Sequence, residues 1–472
     1  MTPRDAGSLG VLLPGFVGTE LPDWLEARLR DGLAGVCLFG ENIVSRAQVR
    51  ALTDAIRAAN PLALIAIDEE GGDVTRLYYD TGSPYPGNAL LGRIDDHDLT
   101  AEVARAVARE LRAVGVNLNF APDADINSNP DNPVIGVRSF GTDPEAVSAH
   151  VATWVAAHER EGVAVSAKHF PGHGDTAQDS HLALPVVDLP IERLRERELR
   201  PFVAAAQAGA SSIMTSHVLL PQLDPGQPAT FSSAILDGVL RGELGYTGVI
   251  VSDALDMVGA SGGIGIPAAA VRAIAAGCDL LCIGTRNTDE QLEAIGAALD
   301  AAVTDGTLPR QRLDDAVARN RSLAAALAEP APLSALDDPV PAFDLDRAVA
   351  AFDVSGDVTL EPGARILTLE TTANIAVGEA PWGPAAAGAQ VTAVREGDPL
   401  PLAGGPVVLV GKDNHRRAWT REAIDAARAV SGAAVVVDMG WPSEDRAYAD
   451  IATFGASRYA GEALLRLLGG AR

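Results

Sequence analysis

Gly162-Val163-Ala164-Val165-Ser166-Ala167-Lys168-His169-Phe170-Pro171-Gly172-His173-Gly174-Asp175-Thr176 begins as a strand and ends as a cluster of reactive side chains. The small and β-branched residues up to Ala167 suit a strand buried on both faces, as in parallel sheets. The polar run starts where that strand would end, and it continues through Asp179-Ser180-His181. Three of the chain's eight histidines fall between His169 and His181. In parallel α/β folds, binding and catalytic groups collect at this edge. Gly172 and Gly174 flank His173, which suggests backbone bent to aim side chains rather than a decorative loop.

Outward from this stretch the same pattern repeats. Apolar runs at Leu9–Leu13, Gly35–Phe39, Leu62–Ile67, Val116–Phe120, Val163–Ala167, Ser212–Thr215, Gly248–Val251 and Asp279–Ile283 read as eight strands. Amphipathic stretches lie between them, among them Arg46–Ala59, Ala101–Val114, Glu145–His158, Ile191–Ala208 and Glu290–Val303. Eight β-α repeats within residues 1–330 predict a (β/α)8 TIM-type barrel. A doubly wound open sheet is the competing arrangement, but no Gly-x-Gly-x-x-Gly follows the first strand and no phosphate-binding Gly-Lys-Ser/Thr loop occurs. Prolines from Pro330 to Pro341 mark a linker over 331–350. Residues 351–472 then carry strands at Ala364–Leu369, Val391–Val394, Val407–Val410 and Ala433–Asp438, with helices at Arg421–Val430 and Tyr459–Leu468. They predict a smaller C-terminal α/β domain, whose role is expected to be packing or dimerisation.

Composition narrows the function. The chain has 472 residues, and 63 acidic against 37 basic side chains give a formal charge of −26. Phosphate backbones demand Lys/Arg-rich faces, so nucleic acid is not an expected partner, and an anionic membrane surface is disfavoured for the same reason. Mean hydropathy is +0.12, and no apolar run approaches the roughly 20 residues that span a bilayer. No leader pattern opens the chain, so a cytoplasmic protein is expected. Cys37, Cys278 and Cys282 sit in apolar runs and read as packed thiols rather than a disulfide framework.

Other strand ends are polar too. The third gives Ile67-Asp68-Glu69-Glu70-Gly71-Gly72, with Arg76 further on. The fourth leads to Asp123 and Asp125 and then to Arg138; the sixth ends Thr215-Ser216-His217; the seventh gives Ser252-Asp253-Ala254-Leu255-Asp256. Any one of these could cap a helix, but five converging on one barrel mouth favour function. His169, His173 and His181 with Asp175 and Asp179 could ligate zinc, yet His-x-His and His-Glu-x-x-His are absent. A serine hydrolase would want Gly-x-Ser-x-Gly, which is also absent. Glycosyl transfer fits best: one carboxylate as nucleophile, a second group moving the proton, and charged groups holding hydroxyls. Asp179 and His181, two apart in an extended segment, project to one side, so Asp179 could orient the imidazole.

With these motifs the chain resembles the bacterial, peptidoglycan-recycling β-N-acetylglucosaminidases of glycoside hydrolase family 3. The resemblance covers about residues 8–330 and is carried by Lys168-His169-Phe170-Pro171-Gly172-His173-Gly174-Asp175-Thr176 with Asp179-Ser180-His181. It implies Asp253 as nucleophile and His181 with Asp179 as the acid/base dyad. Asp68, Arg76, Arg138, Lys168 and His169 become sugar-binding positions. Neither a metal nor another cofactor is implied. The family commonly shows Asp-Gln-Glu-Gly-Gly-Arg-Val, whereas Glu69 and Asp73 stand in the Gln and Arg places here. The activity implied is a retaining exo-β-N-acetylglucosaminidase, or β-N-acetylhexosaminidase, acting on muropeptide-like or chitooligosaccharide-like glycosides. A phosphorylase on the same site is the nearest alternative, and a non-catalytic sugar-binding barrel is the second.

Overall fold

The computed structural model describes residues 7–179, 183–355, 358, 363–403, 405–430 and 434–469. The chain divides into two compact units. The first comprises Met1–Glu69, Thr100–Ile126 and Asp143–Pro339. Its strands are β1 (Leu12–Pro14), β2 (Gly35–Leu38), β3 (Leu64–Ile67), β4 (Leu118–Asn119), β5 (Ala164–Phe170), β6 (Ser212–Thr215), β7 (Val249–Ser252) and β8 (Leu280–Gly284).

These eight strands pair in parallel in the order β1-β8-β7-β6-β5-β4-β3-β2. The two ends of that order approach each other, and Ala34 N, just before β2, donates to Leu9 O ahead of β1 at 3.0 Å. The result is the expected (β/α)8 barrel, nearly closed. Every residue of the eight strands is buried. Residues from all eight meet in one core cluster that includes Leu13, Cys37, Leu64, Leu118, Ala164, Met214, Val251 and Cys282. Complete burial on both faces explains why the strands read as unbroken apolar runs rather than alternating ones.

Helices cover the outside. Arg46–Ala59 runs as the periodicity predicts, with the Ser45 side chain accepting from Gln48 N at its start. Pro144–Glu159 is capped by Asp143 and carries Pro144 in its first turn, where a missing N–H costs nothing. The stretch expected as one helix over 191–208 is two, Ile191–Glu196 and Arg200–Gln207. Pro201 belongs to the first turn of the second helix, where proline is tolerated, so the chain turns at Arg197.

The second unit comprises Glu70–Leu99, Asn127–Thr142 and Val340–Arg472. Its strands β9 (Asp353–Val354), β10 (Arg365–Leu369), β11 (Val391–Val394), β12 (Val407–Gly411), β13 (Val435–Asp438) and β14 (Ile451–Ala452) form one sheet, ordered β11-β10-β12-β13-β14-β9. All pair in parallel except β9, which runs antiparallel to β14. The expected α/β character of the C-terminal region is therefore present. Its membership is wider than the boundary expected near residue 330, because the segments that follow β3 and β4 join it. Ala89 packs with Ala449, Ala452 and Phe454, and Asp73 Oδ1 accepts from Ala456 N at 2.8 Å.

Candidate active site

The site is built on the carboxyl ends of the strands of the first unit. β3 delivers Asp68 and β5 delivers Lys168, and Lys168 Nζ donates to Asp68 Oδ1 at 2.6 Å. The Lys168 side chain is 2% exposed, whereas that of Asp68 is 21% exposed. A buried ammonium needs such a partner, since unpaired charge in a fold interior is costly.

β4 leads into Asp123 and Asp125, both wholly buried. Asp125 organises the loop after β5. Its Oδ2 lies 2.6 Å from His169 Nδ1, and its Oδ1 accepts from His173 N at 2.6 Å. Its own N–H donates to Asp123 Oδ1 at 3.0 Å. Burial pushes the Asp125 carboxyl up, but His169, His173 and these hydrogen bonds outweigh it and hold the group below its ordinary range. With Nδ1 engaged by Asp125, the orientation of the His169 ring is fixed.

His173 is 1% exposed, and burial lowers its pKa to about 4, so its ring is neutral at physiological pH. Its Nδ1 lies 2.8 Å from Thr176 Oγ1. Gly174 follows because backbone passes beside it: a Cβ there would stand 1.6 Å from Ile126 O. Glycine is required on steric grounds, as the motif suggests.

β7 ends in Ser252 and Asp253. Asp253 Oδ1 accepts from Ala254 N at 2.8 Å, and Asp253 N donates to Thr215 Oγ1 at the end of β6 at 3.4 Å. His217, wholly buried at the end of β6, reaches Ala254 O through Nε2 at 3.0 Å and Thr230 Oγ1 through Nδ1 at 2.9 Å. Asp253 is thus held on its own backbone and from the neighbouring strand. Asp256 is exposed, and its Oδ2 accepts from Thr285 N after β8 at 3.1 Å.

Asp68, Lys168, His169 and Asp253 therefore all sit on the carboxyl-end rim of the barrel. Asp179 is partly buried in the same loop, its carbonyl accepting from Ala183 N at 3.0 Å. The role expected of His181 falls outside the described residues. Arg76 and Arg138 belong to the second unit. There Arg138 forms a buried two-pronged pair with Glu70, at 2.8 and 3.1 Å, and Arg76 Nη2 donates to Ala376 O at 2.8 Å.

Sequence reasoning assigned no role to Asp123, Asp125 or His173, although all three lie in stretches it singled out. Arg197 and Glu198, which sit behind the β5 loop, gave no signal, because they fall inside a helical pattern. Among the described residues, Asp123, Asp125 and His169 each offer a ligand atom within 4.8 Å of one another and could hold a metal ion. Both Asp125 oxygens already receive hydrogen bonds from the β5 loop.

A (β/α)8 barrel with carboxylates, a lysine and histidines gathered at its strand ends defines a barrel enzyme, and its carboxylates suit glycoside hydrolysis. The family profile described as "Glycosyl hydrolase family 3 N terminal domain" matches residues 20–323, and the chain belongs to that family of glycoside hydrolases. Among its relatives, "Beta-hexosaminidase" of Stenotrophomonas maltophilia (strain K279a) is 38% identical over 315 residues, covering 64% of this chain and 92% of its own length. "Beta-hexosaminidase A" of Pseudoalteromonas piscicida is 38% identical over 333 residues, or 65% of this chain, which spans only 56% of that relative. A solved family 3 beta-N-acetylglucosaminidase from Paenibacillus sp. str. FPU-7 superposes with a TM-score of 0.85 at 32% identity, covering 100% of this chain and 97% of that one.

Proposed function

We propose that the chain is a retaining, exo-acting β-N-acetylhexosaminidase that removes terminal N-acetylglucosamine from β-glycosides. The observation that carries this reading is Asp253, held just after β7 by Ala254 and by Thr215 of β6, on the same barrel rim as the Asp68–Lys168 pair and the Asp125–His169 pair. The similarity to hexosaminidases and to a family 3 N-acetylglucosaminidase supports the sugar class.

In the proposed reaction an Asp253 oxygen attacks the anomeric carbon as the glycosidic C–O bond breaks, and the leaving oxygen takes a proton from His181. Water then attacks the glycosyl–Asp253 ester and gives its proton to His181, which restores the carboxylate and releases a sugar of retained configuration. Asp179 orients His181 and favours its charged form. Lys168 and Asp68, an adjacent cation and anion, suit alternating hydroxyl donors and acceptors, and His169 presents an imidazole whose direction Asp125 has set. Arg76 and Arg138 complete the proposed sugar-binding set. Natural substrates of the muropeptide or chitooligosaccharide type follow from this sugar class. No helix among the described residues is long and apolar enough to cross a membrane. A cytoplasmic location is part of the proposal; Cys37, Cys278 and Cys282 are all buried, as packed core thiols are.

The test is turnover of p-nitrophenyl β-N-acetylglucosaminide with and without phosphate, with the sugar product identified by NMR as it forms. Free β-anomeric N-acetylglucosamine, at a rate indifferent to phosphate, is the expected result. A sugar 1-phosphate would reassign the site to phosphorolysis. No turnover of any N-acetylhexosaminide would leave a sugar-binding barrel.

A further inference from the structure

Behind the β5 loop lies a cluster that the proposed chemistry does not use. Arg197 stands at the break between the helices Ile191–Glu196 and Arg200–Gln207. Its Nη2 donates to Asp175 Oδ2 at 2.6 Å, and its Nε donates to Glu198 Oε1 at 2.5 Å. Asp175 belongs to the loop, between His173 and Asp179. Glu198 is 1% exposed and lies against Gly172, whose φ is +131°; a Cβ at that glycine would come within 2.9 Å of the Glu198 Cβ and 3.0 Å of its Oε2.

The arrangement has a directional consequence. A guanidinium is a planar fork, so bonds to two carboxylates fix its plane and not merely its distance from one of them. One prong grips the loop at Asp175; the other grips the carboxylate that supports the loop at Gly172. The same loop is tied on the barrel side by Asp125, through His173 N. It is therefore clamped between the barrel rim and the outer helices on either side of His173. Burial pushes Glu198 up to about 7 against the pull of Arg197, with Asp125 and Asp175 adding to the rise, so the pairing with Arg197 offsets a costly burial.

We infer that Arg197 is a positioning residue for the glycosidase reaction: its fork on Asp175 and Glu198 sets the path of the loop from Gly172 to Asp179, and with it the approach of the Asp179 end of that loop to the scissile bond. This inference rests on the hydrolase reading above. An arginine that only braced the fold would support stability without touching the proton-transfer step.

The experiment compares Arg197→Ala, Arg197→Lys, Asp175→Ala and the Arg197→Ala/Asp175→Ala double variant on two substrates, diacetylchitobiose and p-nitrophenyl β-N-acetylglucosaminide. Misplacing a reacting group by about 1 Å costs on the order of a hundredfold, so Arg197→Ala should lower kcat on diacetylchitobiose roughly tenfold to hundredfold. KM should change little. The activated aryl glycoside, which needs little protonation, should lose far less in its first step. The pH profile of kcat should shift in the variant, and Arg197→Lys should recover part of the loss. The double variant should be no worse than the worse single one, as expected of residues acting as a unit. If the wild type releases N-acetylglucosamine while Arg197→Ala keeps kcat and its pH profile on both substrates, the clamp is overturned and the hydrolase reading stands. Losses that are equal on both substrates and track a fall in Tm would likewise reduce Arg197 to a brace. A wild type that releases no N-acetylglucosamine overturns the hydrolase reading, and the inference falls with it.

Discussion

The two rims of the barrel use the same kinds of side chain to opposite ends. At the amino-end rim, Asp279 precedes β8 and is wholly buried. Arg241, Arg312 and Arg319 reach its oxygens at 2.6, 2.8 and 3.2 Å, and Ile250 N adds a fourth donor at 3.0 Å. At the carboxyl-end rim, Asp125 takes its hydrogen bonds from a loop that also carries Asp179, and Lys168 pairs with a partly exposed Asp68. The amino-end carboxylate draws helices and strands together. The carboxyl-end ones aim side chains toward the barrel mouth. Burial and charge therefore do not distinguish a site from a brace; what distinguishes them is which elements the partners come from.

The largest contrast should appear at Asp253. Replacing it with Ala should lower kcat by about four orders of magnitude, as expected when a covalent nucleophile is lost. Folding should be largely kept, since Asp253 is partly exposed at a strand end rather than in the core. Mass spectrometry after a 5-fluoro glycoside inactivates the wild type should find the label on Asp253. A label on Asp256 or Asp68 would break the assignment.

Asp279→Ala should do the reverse. It leaves three partly buried arginines without their shared anion, which costs about 3 to 5 kcal/mol when a buried pair is broken from one side. Urea midpoints should fall accordingly, while kcat per folded molecule stays at the wild-type value. A large fall in kcat with unchanged stability would erase the distinction between the rims.

Lys168→Ala tests whether a buried pair on the carboxyl-end rim also binds. Hydrogen bonds to charged groups are worth about 1.5 to 3 kcal/mol, so a competitive N-acetylglucosamine-derived inhibitor should bind roughly tenfold to hundredfold more weakly. An unchanged inhibition constant would move the Lys168–Asp68 pair to the structural side of the comparison.

Much of this contrast is legible in the sequence, and the exceptions have a physical pattern. All eight barrel strands appear as apolar runs, because strands buried on both faces cannot hide their composition. Asp68, Lys168 and Asp253 are visible as polar residues that break those runs at their ends. Asp279 reads only as the start of a strand, since its three arginines come from distant helices. Arg197 and Glu198 read as solvated helix surface, because nothing local says that Asp175 folds back onto them. The segments 70–99 and 127–142 look like barrel loops, yet they pack with the C-terminal unit through contacts such as Asp73 with Ala456, separated by most of the chain. The strands β9 and β14 have two residues each, too short for any periodicity. Local pattern carries element identity and strand-end polarity; it does not carry pairing across hundreds of residues.

The smallest effect separates two histidines that burial treats alike. His158 and His173 are both lowered to about 4. His173 stands on the rim beside Asp125, whereas His158 sits in the helix Pro144–Glu159, its Nδ1 3.1 Å from Ala104 O and its ring stacked on Trp154. An unfolded histidine titrates near 6.5, so between about pH 4 and 6.5 the unfolded chain binds a proton that native His158 does not. Stability then rises with pH across that window and is lost as pH falls through it, by up to about 3 kcal/mol for one such group. Glu198 and Asp438, both raised to about 7 by burial, act with the opposite sign: they hold protons in the native state above the unfolded carboxylate range, and their contribution is lost as pH rises toward 7. The raw pH profile is therefore a difference of opposed effects, and only a variant isolates one of them. His158→Phe keeps the ring against Trp154 and removes the titration, at a constant penalty for the lost hydrogen bond to the Ala104 carbonyl. Urea midpoints of the two proteins should differ most near pH 7.5 and converge by about 2 kcal/mol toward pH 4.5. Parallel profiles would mean that native His158 takes up its proton over the same pH range as the unfolded chain, so that burial does not depress it.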